Sequence, residues 1–158
     1  MTGAPATGAT RLVDALVAAG VGRIFTLSGN QILSIFDATI GRDVALVHTR
    51  HEAAAVHMAD AWGRLTEQPG VALVTAGPGH LNAISALYGA RMAESPVILL
   101  SGASPRGQRG RGAFQEVDQV AAARPVSRRR HRLPPPRRRS ASATRWRSSR
   151  CSPRPSGR

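Results

Sequence analysis

Four short apolar runs alternate with helix-like segments along the first hundred or so residues, and this alternation constrains the fold more than any other feature. The runs are RIFTL (23–27), VALVH (44–48), VALVT (71–75) and PVILLSG (96–102). Each is close to continuously apolar, as expected of strands covered on both faces. TRLVDALVAA (10–19) has Thr10 as its expected N-cap, Leu12, Leu16 and Ala19 on one face, and Gly20 as a stop. QILSIFDATI (31–40) aligns Ile32, Ile35, Phe36 and Thr39 ahead of Gly41. A longer helix is expected over 51–66, and another from the glycine-rich turn GPGHLN (77–82) to about Ala93. Residues 103–116 read as a loop rich in glycine and arginine, and 118–123 as one or two helical turns before Pro125. The order α-β-α-β-α-β-α-β with short connections predicts an α/β fold, a parallel sheet with helices on both faces. In open sheets of this kind ligands bind beyond the carboxyl ends of the strands. LSGNQ (27–31), AGPGHLN (76–82) and the start of the helix carrying Glu52 all fall on that edge.

Charge divides the chain into a domain over 1–126 and a tail over 127–158. The first part carries ten arginines and nine acids; the second carries twelve arginines and no acid, so nearly all of the formal +13 belongs to the tail. The basic balance therefore says nothing about the folded body. The single cysteine, Cys151, lies in the tail, which leaves no internal disulfide framework and fits a reducing compartment. MTGAPATGAT lacks the basic start and apolar run of a signal peptide. No segment approaches the ~20 apolar residues that span a bilayer. A cytoplasmic protein without a membrane partner is the expectation.

Glu52 is the outlier in HTRHEAAAVHMADAWGR (48–64), a helix otherwise built of alanine and small apolar residues. Helical geometry places it on one face with Ala55, Val56, Ala59 and Gly63, a surface suited to packing inward. An inward glutamate needs a partner, because an unpaired buried charge is strongly unfavourable. Three readings stand side by side. Glu52 could cap its own helix, paired with Arg50 or His51, since acids are favoured in a first turn. It could join His48, His51 and His57 around a metal. His51 and His57 are six apart and miss the i, i+4 spacing of H-E-x-x-H, so no metal ligand is assigned. Or it could be a buried acid that exchanges a proton with a bound ligand. AGPGHLN likewise admits a plain tight turn, having neither the lysine of a P-loop nor the G-x-G-x-x-G spacing.

Together, five ordered blocks resemble the N-terminal, pyrimidine-binding domain of thiamine diphosphate-dependent enzymes, in particular the acetolactate synthase large-subunit group. RIFTLSGNQILSIFDA resembles the family's F-G-x-P-G strand, loop and helix. HTRHEAAAVHMADAWGR resembles R-H-E-x-x-A-x-x-M-A-x-G-x-A-R, and GVALVTAGPGHLN resembles G-V-x-x-x-T-x-G-P-G-x-x-N. ESPVILLSG and GAFQEVD follow as x-x-P-x-x-x-x-x-G and x-x-F-Q-E-x-D. The resemblance implies the family's pyrimidine-domain fold and a thiamine diphosphate cofactor. It implies that Glu52 hydrogen-bonds the N1′ nitrogen of the aminopyrimidine. Proton sharing there favours the imino tautomer, whose 4′-nitrogen takes the proton from thiazolium C2 before attack on a 2-keto acid and loss of carbon dioxide. Ser28 and Gly29 would line the pyrimidine pocket, Pro78 and Asn82 would support it and its glutamate, and Phe114 and Gln115 would reach towards substrate. LSGNQ departs from the I-P-G-G of many synthases, placing Asn30 and Gln31 near the acceptor side. Decarboxylase, carboligase and lyase chemistry all stay open; the synthase group implies branched-chain amino acid biosynthesis.

The family holds the diphosphate and its magnesium in a separate C-terminal domain that opens with G-D-G, and its synthases hold FAD in a middle domain. No G-D-G occurs in this sequence. The cofactor of the family lies between the pyrimidine domain of one subunit and the diphosphate domain of another. The resemblance thus implies half a site, completed in a homo-oligomer or by a full-length homologous subunit, with magnesium and any FAD confined to the intact parent enzyme. The pyrimidine domain is itself expected to be incomplete on its C-terminal side, leaving apolar helix faces uncovered. Residues 127–158, rich in Arg, Pro and Ser, are expected to be disordered. They read in one of two ways. One is an arm that binds nucleic acid non-specifically, making the chain a binding protein without enzymatic activity. The other is a stretch translated out of frame: the chain has no lysine, and GC-rich codons read out of frame yield Arg, Pro, Ser, Ala and Gly. A break inside a domain favours the second.

Overall fold

The computed structural model describes residues 7–129 together with His131 and Leu133. The rest of the expected tail lies outside the described residues. Helix α1 (Gly8–Ala18) leads to β1 (Arg23–Thr26), a 3₁₀ turn (Asn30–Ile32) and α2 (Leu33–Thr39). Then come β2 (Ala45–His48), α3 (Glu52–Thr66), β3 (Gly70–Val74), α4 (Pro78–Met92) and β4 (Val97–Ser101). After a loop, α5 (Gln119–Ala122) adds a single turn. The strands form one parallel sheet in the order β2-β1-β3-β4, so the fold is the α/β arrangement that the alternation predicts.

The start of α1 corrects the sequence reading. Its cap is Thr7, whose hydroxyl accepts from the Thr10 amide at 3.1 Å, while the Thr10 hydroxyl donates to the Thr7 carbonyl at 2.9 Å. Both threonines suit a cap, and Gly8 and Ala9 carry the helix one turn further upstream. The buried side centres on Val13 and Leu16, with Leu12 at its margin and Ala19 in solvent.

The strand pleat divides the core in two. Val71 and Leu73 meet Leu16, Val21, Ile24 and Ile32 on one face. Ala72 and Val74 meet Phe25, Ala55, Val56, Ala59, Ala83 and Leu87 on the other. All of β3 is buried, which is why its sequence shows no alternation. The handedness of crossovers accounts for the sorting of helices. The step from β1 to β2 crosses the sheet in the opposite direction from the steps β2 to β3 and β3 to β4, so α2 covers one face and α3 and α4 the other. Apolar side chains nevertheless stay exposed: Leu81, Tyr88 and Met92 on α4, Leu65 on α3, and Ile98 on the edge strand β4. Among the described residues no helix is long and apolar enough to cross a membrane.

On the buried side of α3, Asp60 accepts a two-pronged hydrogen bond from Arg64 one turn on, at 2.9 Å and 2.6 Å. That bond holds the Asp60 carboxyl below its ordinary 3.8, against the opposing effect of burial. A depressed carboxyl pKa stabilises the fold above the ordinary value, and this contribution is lost as the pH falls below it. Asp60→Asn should therefore flatten the decline in melting temperature between about pH 5 and pH 2, as read by circular dichroism.

Candidate functional site

Strand order puts β1 beside β3, and the chain leaves their carboxyl ends in opposite directions, towards β2 and β4. A crevice opens at such a switch point in an open α/β sheet. Residues 27–31 and 75–77 are the loops on its two sides.

Glycines let these loops close on one another. A Cβ on Gly29 would lie 2.5 Å from Thr75 Cβ. One on Gly79 would lie 2.7 Å from Thr75 Cγ2 and 3.1 Å from Glu52 Oε1. Thr75 is buried and donates its hydroxyl to the Gln31 side-chain oxygen, tying the loop after β1 to the end of β3. Gly77 has φ of +57°, and a Cβ there would lie 2.7 Å from the Gln115 carbonyl oxygen. Glycine alone combines that conformation with that approach.

Glu52 opens α3 at this edge and is 8% exposed. Its Oε2 accepts from Asn82 Nδ2 at 3.0 Å, reaching across from α4. It does not cap α3. His51 does, with Nδ1 accepting from the Ala53 amide at 3.1 Å, and this leaves the glutamate side chain to face α4. Among the described residues Glu52 forms no ion pair, so its partner is a neutral amide. The positive end of the α3 dipole adds to its stabilisation. His48 packs edge-on to Phe36 with ring centroids 5.5 Å apart and His51 caps α3, while His57 is exposed. Asn82→Ala would leave the Glu52 carboxylate without this donor. A loss of about 1–3 kcal/mol is expected, seen as a lower urea midpoint at unchanged slope.

The other sequence-predicted site residues differ in how closely they join this group. Gly29 backs onto Thr75, and Pro78 opens α4 on the exposed side. Gln115 approaches through its backbone, with φ of +60°. Ser28 is exposed on the loop after β1, and Phe114 is 71% exposed.

His80 escaped the sequence reading. It is 5% exposed, with Nδ1 2.7 Å from Ser101 Oγ and Nε2 3.0 Å from the Gln119 carbonyl oxygen. A carbonyl only accepts, so Nε2 carries the proton and Nδ1 accepts from the Ser101 hydroxyl. Burial pushes the ring's pKa below 6.5, and the bond to the Gln119 carbonyl opposes that shift in part. The signal that could have found it is its helical face, which it shares with Ala83 and Leu87, both buried.

The sequence model of the thiamine pyrophosphate enzyme N-terminal TPP binding domain matches residues 6–122. The chain belongs to that family. This thiamine pyrophosphate enzyme domain is 42% identical over 113 residues to the acetolactate synthase large subunit IlvG of Mycobacterium tuberculosis, covering 72% of this chain and 21% of that one. It is 44% identical over 119 residues to 2-hydroxyacyl-CoA lyase 2 of Xenopus laevis, covering 75% and 18%. It is also 44% identical over 122 residues to the acetolactate synthase isozyme 3 large subunit of Escherichia coli, covering 76% and 21%. The match thus takes in about a fifth of the length of these relatives. Glu52, Asn82 and every other residue assigned to the site lie within the span that defines the family.

Proposed function

We propose that this chain forms the aminopyrimidine-binding half of a thiamine diphosphate site in an acetolactate synthase-like enzyme acting on 2-keto acids. The observation that carries this reading is the Glu52–Asn82 pair at the switch point, a mostly buried carboxylate held by a neutral amide. Gly29, Gly77 and Gly79 let the loops and the start of α4 close around this pair, and a Cβ on Gly79 would crowd Glu52 Oε1.

Bound there, thiamine diphosphate supplies a nucleophilic thiazolium carbon and an electron sink for making or breaking a bond beside a carbonyl. Asn82 engages Oε2 and so orients the carboxyl group, leaving Oε1 to hold a proton at a ring nitrogen. Ser28 and Gly29 line one wall and Pro78 the other. Phe114 and Gln115 stand on the substrate side, where the exposed Phe114 ring is available for contact.

No residue of this chain is assigned to the diphosphate, magnesium or FAD. These belong to an intact parent enzyme, working as a homo-oligomer or with a full-length homologous subunit. A cytoplasmic setting and a place in branched-chain amino acid biosynthesis belong to the same reading. The relatives named 2-hydroxyacyl-CoA lyase 2 favour a second reading, a lyase with the same role for Glu52. The test is calorimetric titration of thiamine diphosphate into the chain mixed with a full-length homologous subunit. Binding in excess of that shown by the subunit alone is expected; its absence would overturn the half-site assignment.

A further inference from the structure

We propose that His80 is a positioning residue: it holds the first turn of α4 so that Asn82 keeps its amide on Glu52, and proton uptake by its ring loosens that hold. The functional meaning of this inference rests on the role assigned to Glu52 above; the coupling between His80 and Asn82 does not.

The start of α4 needs a tether. Its N-cap is Gly77, which offers no side-chain cap, and Pro78 has no amide hydrogen to contribute. The turn also contains Gly79, so glycines, with the freest backbone available, stand both at its cap and at its second residue. His80 anchors the turn through its side chain instead. Its ring joins Ser101, the last residue of β4, to the carbonyl of Gln119, the first residue of α5. Gln119 in turn donates its side-chain amide to the Gly102 carbonyl at 2.9 Å, and the Gly102 amide donates to the Val74 carbonyl at 2.9 Å. The ends of β3 and β4, the start of α4 and α5 are thereby linked in one chain of hydrogen bonds. Asn82 follows two residues after His80, and its 3.0 Å bond to Glu52 does not survive a displacement of about 1 Å.

The bonds of His80 are those of a neutral ring. A proton on Nδ1 makes that atom a donor, so the Ser101 hydroxyl can no longer donate to it and must turn to accept. The new charge stands where little water reaches. The elements packed around the ring carry Glu52, His57, Asp60 and Arg64 on α3, Tyr88 and Arg91 on α4, and Asp118 and Arg124 beside α5; β3 and β4 carry no titratable side chain. None of these is among the influences on the ring, which burial dominates. A buried base of lowered proton affinity contributes its stability in full above its ordinary pKa of 6.5, and loses it as the pH falls below that value.

The experiment is nuclear magnetic resonance on the labelled full chain. It follows the His80 ring carbons and the Asn82 side-chain amide between about pH 8 and pH 5. The expected result is one shared midpoint below 6.5, and loss of the Asn82 response at that midpoint in His80→Gln. Separate midpoints in the unmodified chain, or an unaltered Asn82 response in His80→Gln, would overturn the proposal. The midpoint comparison needs no variant, so it decides even if His80→Gln fails to fold. Thiamine diphosphate titrated into the mixture with a full-length subunit gives an independent readout: weaker binding at the lower pH with unmodified chain, and none of that pH dependence with His80→Gln. Absence of binding at both pH values would overturn the cofactor reading and leave the His80–Asn82 coupling to be decided by the resonances.

Discussion

Glu52→Gln is expected to lower turnover by about 10²–10⁴-fold, the range a positioned proton-transfer group contributes. The measurement suits a chimera in which residues 1–126 replace the matching segment of the Escherichia coli isozyme 3 large subunit, to which the chain is 44% identical. Glutamine keeps an oxygen that can accept from Asn82, so the bond at 3.0 Å has a substitute and the fold should persist. What glutamine cannot do is give and take a proton at a ring nitrogen. The loss should therefore fall on turnover, with little change in melting temperature. Unchanged turnover would remove Glu52 from the chemistry. A collapsed melting temperature would instead mark Glu52 as a structural residue whose charge the fold itself requires.

The largest effect on stability is expected at Gly70, the first residue of β3. A Cβ there would overlap the carbonyl oxygen of Ala59 in the middle of α3. Neither side can yield easily. The Gly70 amide donates to the Pro96 carbonyl at 2.9 Å, pinning β3 to the chain entering β4, and Ala59 is fully buried between helix and sheet. Gly70→Ala must then push α3 away from the sheet it covers. A loss of about 3 kcal/mol or more follows, at the upper end of overpacking costs and a large share of a domain's stability. Gly89→Ala is the control: it lies within α4 with no atom in reach of an added Cβ, so about 0.5–1 kcal/mol of stabilisation is expected from helix propensity alone. Denaturant midpoints of the two variants should move in opposite directions. A Gly70→Ala variant as stable as the parent would contradict the close approach of α3 to β3.

The elements were legible in the sequence because their causes are local. Continuous apolar runs marked β1 to β4 within a residue or two at each end, and Gly20 and Gly41, both of positive φ, marked the stops after α1 and α2. The inward face of α3 followed from helical spacing, since Glu52, Ala55, Val56, Ala59 and Gly63 are all buried. Family membership followed from motifs whose residues lie close together in the chain.

Local patterns were silent wherever two remote segments had to meet. Spacing marked Glu52 as an acid in need of a partner, but only the family resemblance pointed to Asn82, which stands 30 residues away and is joined to it by the packing of α3 beside α4. The bond from Thr75 to Gln31 spans 44 residues and exists because β1 and β3 are neighbours, an adjacency that strand order alone decides. The cap of α3 is His51, the residue before the helix, while the Glu52 side chain is engaged by α4. His80 lay in a motif already noted, yet its partners Ser101 and Gln119 come from a strand end and a short helix that no periodicity relates to α4. Composition and spacing determined which segments fold and what chemistry their residues can offer. The tertiary arrangement decided which of those residues touch, because contacts across the sheet edge depend on strand order and helix packing, and neither leaves a trace in any short window of the chain.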